Sequence, residues 1–166
     1  PQGEVTAVPM RVDLVNESRG ILVCGESFGG KTALIRRNLR RTSAIGIWDG
    51  EGNGKAFHIR LPLEATLKGL ATEIAKQTGY QVAPRLRTTE VWEIALHPLA
   101  QRGITILWID EVHHLLGGKE AVEVRQRPKS LMQGDKALAL IVSGIPALDA
   151  HIRQDRETER RFVARV

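Results

Sequence analysis

Gly25-Glu26-Ser27-Phe28-Gly29-Gly30-Lys31-Thr32 follows the apolar run Gly20 to Cys24 directly and opens a segment of helical period reaching about Arg41. It satisfies the G-x-x-x-x-G-K-[ST] pattern in the strand-then-helix setting that the pattern requires. Glycines let successive backbone N–H groups turn inward around phosphate oxygens. The start of the following helix adds unpaired donors and the positive end of its dipole. Lys31 is expected to reach the β- and γ-phosphates of ATP, and Thr32 to offer its hydroxyl to Mg²⁺. The nucleotide-binding stretch is therefore Gly25, Glu26, Ser27, Phe28, Gly29, Gly30, Lys31, Thr32 and Ala33. A glycine-rich turn without a ligand is the plain alternative, and the matching context argues against it.

Ile106-Leu107-Trp108-Ile109-Asp110-Glu111 places two carboxylates at the end of a second apolar run. In an open parallel sheet, ligands collect at the carboxyl ends of the strands. Asp110 is then the candidate to hold Mg²⁺, and Glu111 to polarise a water for in-line attack on the γ-phosphate. In isolation the pair would read as exposed acids at a strand end, and the upstream loop is what makes it a site. His113 and His114 follow, but adjacent residues on a helix point in different directions and no further metal-ligand motif accompanies them. A packing or supporting role is expected for both.

Outward from these two stretches, short β-like apolar runs alternate with helical periods, and no internal repeat appears. The alternation predicts an α/β fold, a three-layer parallel sheet with helices on both faces. Strands are expected at Gly20 to Cys24, Ala56 to Leu61, Ile104 to Ile109 at the sheet centre, and Ala137 to Ser143. Helices are expected at Lys31 to Arg41, around Leu67 to Ala75 with Gly79 closing it, and across Val91 to Leu99 with Pro98 as a kink or end. A charged helix from Glu120 to Met132 should be interrupted by Pro128, and the polar segment from Pro146 to about Val163 reads as helical. Residues 1–17 are expected to form an extension and residues 18–166 the core.

With 166 residues, 42% of them hydrophobic, the chain suits one well-packed domain. Its apolar runs are far shorter than the 18 or so residues that cross a bilayer, and the start lacks a secretory signal, so a cytoplasmic protein with no membrane partner is expected. The start and the end both read as those of an excised piece. Cys24 is the single cysteine, lies in an apolar run and is read as a small hydrophobe. A net charge of +5, rich in arginine, favours a polyanionic partner, while 4% aromatic content leaves little for base stacking. Contact with nucleic acid should therefore run through the backbone. Arg36, Arg37, Arg40 and Arg41 fall within an arc of about 140° at 100° per residue and offer such a face, although a row of arginines is also what a solvated helix presents.

The ordering of phosphate loop, Asp110-Glu111 strand end, further strand ending at Ser143, then Arg160-Arg161-Phe162 resembles that of AAA+ ATPases, P-loop NTPases with this core. Arg160 and Arg161 beside an acidic stretch also fit a solvated helix face. The resemblance implies instead an arginine finger that completes a neighbouring subunit's ATP site, Arg161 first and Arg160 second. It implies for Ser143 the region of the polar residue called sensor 1. The resemblance implies a lid domain after this core, and residues 18–166 are expected to hold the core without it.

Within that family the chain is most similar to the TniB-like transposition ATPases, related to the IstB and TnsC regulators. Carrying this likeness are Gly20-Ile21-Leu22-Val23-Cys24-Gly25-Glu26, then Trp108-Ile109-Asp110-Glu111-Val112-His113-His114-Leu115-Leu116, and Ile141-Val142-Ser143-Gly144-Ile145-Pro146-Ala147-Leu148. The resemblance implies an ATP-hydrolysing homo-oligomer, ring or filament, that assembles on double-stranded DNA, contacts a transposase and acts in target selection or transposase activation. A helicase loader, a secretion-type motor or a nucleotide-gated module with little turnover would share the same core motifs.

Overall fold

The apolar runs pair into one five-stranded sheet in the computed structural model, which describes residues 17–117 and 119–166. Its strands are Gly20–Cys24 (β1), Ala56–Arg60 (β2), Ile106–Asp110 (β3), Ala139–Gly144 (β4) and Phe162–Arg165 (β5), in the order β2-β3-β4-β1-β5. Every neighbouring pair is parallel, so all five carboxyl ends lie at one edge. β3 is an interior strand as its apolar character demands, and β4 holds the middle position. The proposed extension falls outside the described residues except for Glu17.

Side chains alternate across a strand, and here each set meets its own layer. Leu107 and Ile109 of β3, Leu140 and Val142 of β4, and Leu22 of β1 enter the larger cluster with Leu70, Ile74, Trp92 and Leu148. Trp108, Ile141, Val23 and Ala56 point the other way, onto Ile35 and Leu39 of the helix Lys31–Arg41 (α1). Both faces are covered, which is why the strand sequences read as nearly unbroken apolar runs.

The helix Leu67–Gln77 (α2) buries Leu67, Leu70, Ala71, Ile74 and Ala75, the same stripe that the periodicity picks out. Thr66 caps it by accepting the Gly69 N–H at 2.9 Å, and Gly79 turns the chain away at φ 91°. α2 packs against the helix Thr88–Gln101 (α3).

Three expectations for the helices need correction. Pro98 neither kinks α3 to a stop nor ends it, since the helix continues to Gln101. Pro128 does not interrupt the helix Ala121–Leu131 (α4), in which Leu131 is buried and the Pro128 carbonyl accepts the Met132 N–H at 3.0 Å. Proline removes one donor, but its fixed φ is a helical one, and buried neighbours on both sides hold the turn.

The third correction concerns the segment from Pro146, which is two short helices, Ala147–Ile152 (α5) and Arg156–Glu159 (α6), followed by β5. Phe162 is buried beside Gly20, where a Cβ would come within 2.6 Å of its ring. Gly20 N–H donates to the Arg161 carbonyl at 2.8 Å, so an edge strand forms where local periodicity alone continues a helix.

Candidate nucleotide site

Gly25 to Gly30 leave the carboxyl end of β1 as a loop that Gly29 N–H closes on the Glu26 carbonyl at 3.1 Å. Phe28 and Gly30 take left-handed φ values of 65° and 78°. Gly30 accepts this readily, whereas a Cβ at Gly29 would press to 3.0 Å on the Glu26 carbonyl. The Lys31 ammonium donates to the Gly25 and Glu26 carbonyls at 2.8 and 2.7 Å. Two of its three N–H groups fix the loop, and the third remains for an anion. α1 begins without a side-chain cap or an acid in its first turn, so its leading N–H groups stay available to a ligand.

At the tip of β3, Asp110 is completely buried. Its Oδ2 accepts from the Thr32 hydroxyl at 2.7 Å, and its Oδ1 from the Ser143 hydroxyl at 2.6 Å and the Glu111 N–H at 3.1 Å. Trp108 Nε1–H donates in turn to Ser143 Oγ at 3.1 Å. His58 lies on β2, stacked on Trp108 with centroids 3.7 Å apart, and its Nε2 stands 3.9 Å from Asp110 Oδ2, beyond hydrogen-bond reach. Burial pushes the Asp110 carboxyl up, but the hydroxyls of Ser143 and Thr32 and the Glu111 backbone donor more than offset it and hold it below the usual carboxylate range. Asp110 is ionised at any ordinary pH.

Glu111 occupies a left-handed backbone position at φ 62°, which costs a non-glycine residue about 1–2 kcal/mol and turns its side chain off the strand axis. Its carboxylate is held between Arg60 Nη2 at 3.8 Å and His113 Nε2 at 3.2 Å. Burial and the neighbouring His114 lower the His113 pKa, against the opposing pull of Glu111, which favours a neutral imidazole beside the carboxylate. A cavity of about 480 Å³ opens among the loop from Ser27 to Gly30, Lys31, Thr32, Arg60, Glu111, His113 and His114.

The loop and the acidic tip thus converge on one cavity at one edge of the sheet. Its donors fit a magnesium triphosphate. Backbone N–H groups and Lys31 suit phosphate oxygens, and Thr32 with the ionised Asp110 supplies the hard oxygen ligands that Mg²⁺ requires. A groove of about 620 Å³ along α1, lined by Thr32, Ala33, Arg36, Arg37, Arg40 and Arg41, is larger but holds no carboxylate.

The family model for the bacterial TniB protein matches residues 10–166. This chain belongs to the TniB family. The fold of this TniB-family chain is shared with solved structures at low identity. The Aeropyrum pernix ORC1 protein, solved in complex with DNA, superposes with a TM-score of 0.69 at 20% identity over 89% of this chain and 38% of its own. The Aeropyrum pernix ORC2 protein, solved in ADPNP-ADP complexes, gives 0.62 at 16% over 91% and 41%, and Cdc6p from Pyrobaculum aerophilum 0.65 at 18% over 88% and 38%. The chain spans about two fifths of the length of these neighbours, and what they share with it is the P-loop AAA+ core. No curated protein matches it.

The remaining residues singled out in this TniB-family sequence lie in contrasting settings. The Ser143 hydroxyl is committed to Asp110 rather than turned into the cavity. Arg161 is 8% exposed and donates to Glu17 at 3.3 Å, whereas Arg160 is exposed. Both sit just before β5, at the amino edge of the sheet and away from the chain's own cavity. Sequence reading missed His58 and Arg60. Their place on β2 could have indicated them, since in a parallel sheet the end of β2 must reach the same edge as Asp110, and Arg60 pairs in register with it. Burial raises the Cys24 pKa and keeps it a thiol, in keeping with a packing role. Among the described residues no helix is long and apolar enough to cross a membrane.

Proposed function

We propose that this TniB-family chain binds ATP with Mg²⁺ in the 480 Å³ cavity, hydrolyses it, and assembles as a homo-oligomer on double-stranded DNA to regulate a transposase. The 2.7 Å bond from Thr32 to Asp110 carries the reading, because it joins the phosphate loop to the acidic tip, as a shared magnesium and phosphate position would require.

Each residue then has a defined task. Backbone N–H groups from Glu26 to Ala33 cradle the phosphates, and Lys31 neutralises their charge from a loop it already braces. Bound Mg²⁺ would supply charge neutralisation at the phosphate oxygens, held by Thr32 and Asp110. Ser143 and Trp108 fix the Asp110 carboxylate. Glu111, aimed by its left-handed backbone and steadied by His113 and Arg60, accepts the proton of the attacking water.

Arg160 is the stronger candidate to reach a neighbouring subunit's phosphates, since Arg161 is folded against Glu17. A guanidinium delivered in this way makes turnover depend on assembly. The DNA and nucleotide in the ORC1 and ORC2 structures support the partners by analogy of fold.

A fluorescent ATP analogue and a phosphate-release assay test the core of the reading. Lys31→Ala is expected to lose binding. Glu111→Gln should keep binding and lose turnover, and turnover of that variant at the wild-type rate would refute the role of Glu111. Duplex binding with and without a non-hydrolysable analogue, followed by electron microscopy, tests assembly.

A further inference from the structure

Immediately after β3, one ligand atom from each of Glu111, His113 and His114 lies within 4.8 Å of the others. Two imidazoles and one carboxylate are a poor set for Mg²⁺, which prefers oxygen throughout, and a good one for zinc and neighbouring transition metals. We propose that Glu111, His113 and His114 form a transition-metal site, with Zn²⁺ as the natural occupant, distinct from the magnesium position at Thr32 and Asp110.

The single 3-10 turn Val112–Leu115 makes this possible. On a strand or an α-helix neighbouring histidines diverge, but this tight turn brings the two rings to 4.4 Å, edge to face. His113 Nε2 and Glu111 Oε2 are 3.2 Å apart. That separation is close to the edge of about 3.3 Å between two ligands of a tetrahedral zinc with bonds of about 2.0–2.1 Å. His114 is oriented from behind, since its Nδ1 pairs with the Leu61 carbonyl at 3.1 Å. A carbonyl only accepts, so Nδ1 carries the proton and Nε2 keeps its lone pair for a metal, the arrangement that orients histidine ligands generally.

With Nε2 as the metal ligand, the neutral His113 imidazole carries its proton on Nδ1. Nδ1 has no partner among the described residues, and Gly144 leaves it space where a Cβ would stand 3.1 Å away. Three protein ligands with the cavity on the open side leave a coordination position for water or a phosphate oxygen.

The consequence is regulatory. A carboxylate bound to Zn²⁺ no longer accepts a proton from water, so the metal would arrest turnover while leaving the phosphate loop intact. This arrest rests on the role proposed for Glu111, whereas metal binding itself does not.

The full chain, free of nucleotide, is titrated with Zn²⁺ against a colorimetric chelator, and separately with Co²⁺ while its visible spectrum is followed. One metal per chain at low micromolar affinity is expected, unaffected by excess Mg²⁺, with a cobalt spectrum of nitrogen and oxygen ligation. His113→Gln and His114→Gln should each weaken binding about tenfold or more, by comparison with losses seen for altered metal shells. Thermal melting checks that the variants fold. No stoichiometric binding, or binding that survives in the doubly substituted folded chain, overturns the proposal. Fluorescent-ATP binding in zinc-free buffer separates the two readings. A chain that binds ATP but fails the zinc titration removes only this site, and a chain that binds zinc but not ATP removes only the nucleotide reading.

Discussion

Thr32 Oγ1 donates to Asp110 Oδ2 across 2.7 Å, tying the first turn of α1 to the tip of β3 over 78 residues of chain. Thr32→Val keeps the side-chain shape and removes the donor. It should cost about 1.5–3 kcal/mol of stability, the range for a hydrogen bond to a charged group. Its larger effect should fall on the Mg²⁺ requirement, with the magnesium concentration needed for half-maximal turnover rising several-fold. A magnesium titration alongside a melting curve checks both, and an unchanged requirement would place the metal elsewhere.

Asp110 makes stability depend on pH in a defined sense. Its folded pKa is depressed, so its contribution is complete above the unfolded value of about 3.9 and is lost as pH falls below that value toward the folded one. Ser143→Ala removes one donor, brings the folded value closer to the unfolded one, and should move the acid transition to higher pH. Asp110→Asn should flatten that part of the profile. Tryptophan fluorescence reports the transition directly, since Trp108 is buried beside Ser143. Parallel acid profiles for Asp110→Asn and the unaltered chain would show that the donors do not stabilise the charge.

Residues whose role is set by near neighbours were legible in the sequence. β1, the phosphate loop and α1 follow from one glycine pattern between an apolar run and a helical one, and α2 from its stripe of five apolar positions. β5 was not, because Phe162 becomes a strand residue only through Gly20, 142 positions earlier in the chain. Pro128 misled for a related reason. The buried contacts that keep α4 continuous are tertiary, while the penalty for proline is local. At the candidate site, the meeting of the Lys31-Thr32 loop with the Asp110-Glu111 tip could be expected from motif and order, but the left-handed turn at Glu111 that brings His113 onto its carboxylate has no local signature.

Arg160 and Arg161 should separate by experiment. Arg160 is exposed and Arg161 is buried against Glu17. Arg160→Ala should therefore leave the melting temperature within the small range of surface substitutions, about ±0.5 kcal/mol, while lowering turnover of the assembled protein. Mixing Arg160→Ala chains with Lys31→Ala chains should recover part of the activity, because some interfaces then pair an intact phosphate loop with an intact arginine. Arg161→Ala should act first on stability. If mixed oligomers form and no activity returns, the arginine is not shared between subunits.

The four arginines of α1 are exposed, share one groove, and have no carboxylate within 4.0 Å among the described residues. If duplex DNA runs along this helix, each phosphate contact releases a counterion and adds about 0.9 to the slope of log affinity against log salt. Replacing Arg36, Arg37, Arg40 and Arg41 with glutamine should then weaken binding to all sequences alike and lower that slope by as much as about 3–4. Fluorescence anisotropy across a salt series gives the slope. An affinity that drops with no change of slope would mean the substitutions act through the adjoining Thr32 and the nucleotide, whereas unchanged affinity and slope would leave α1 as a solvated face and move the DNA path to another surface.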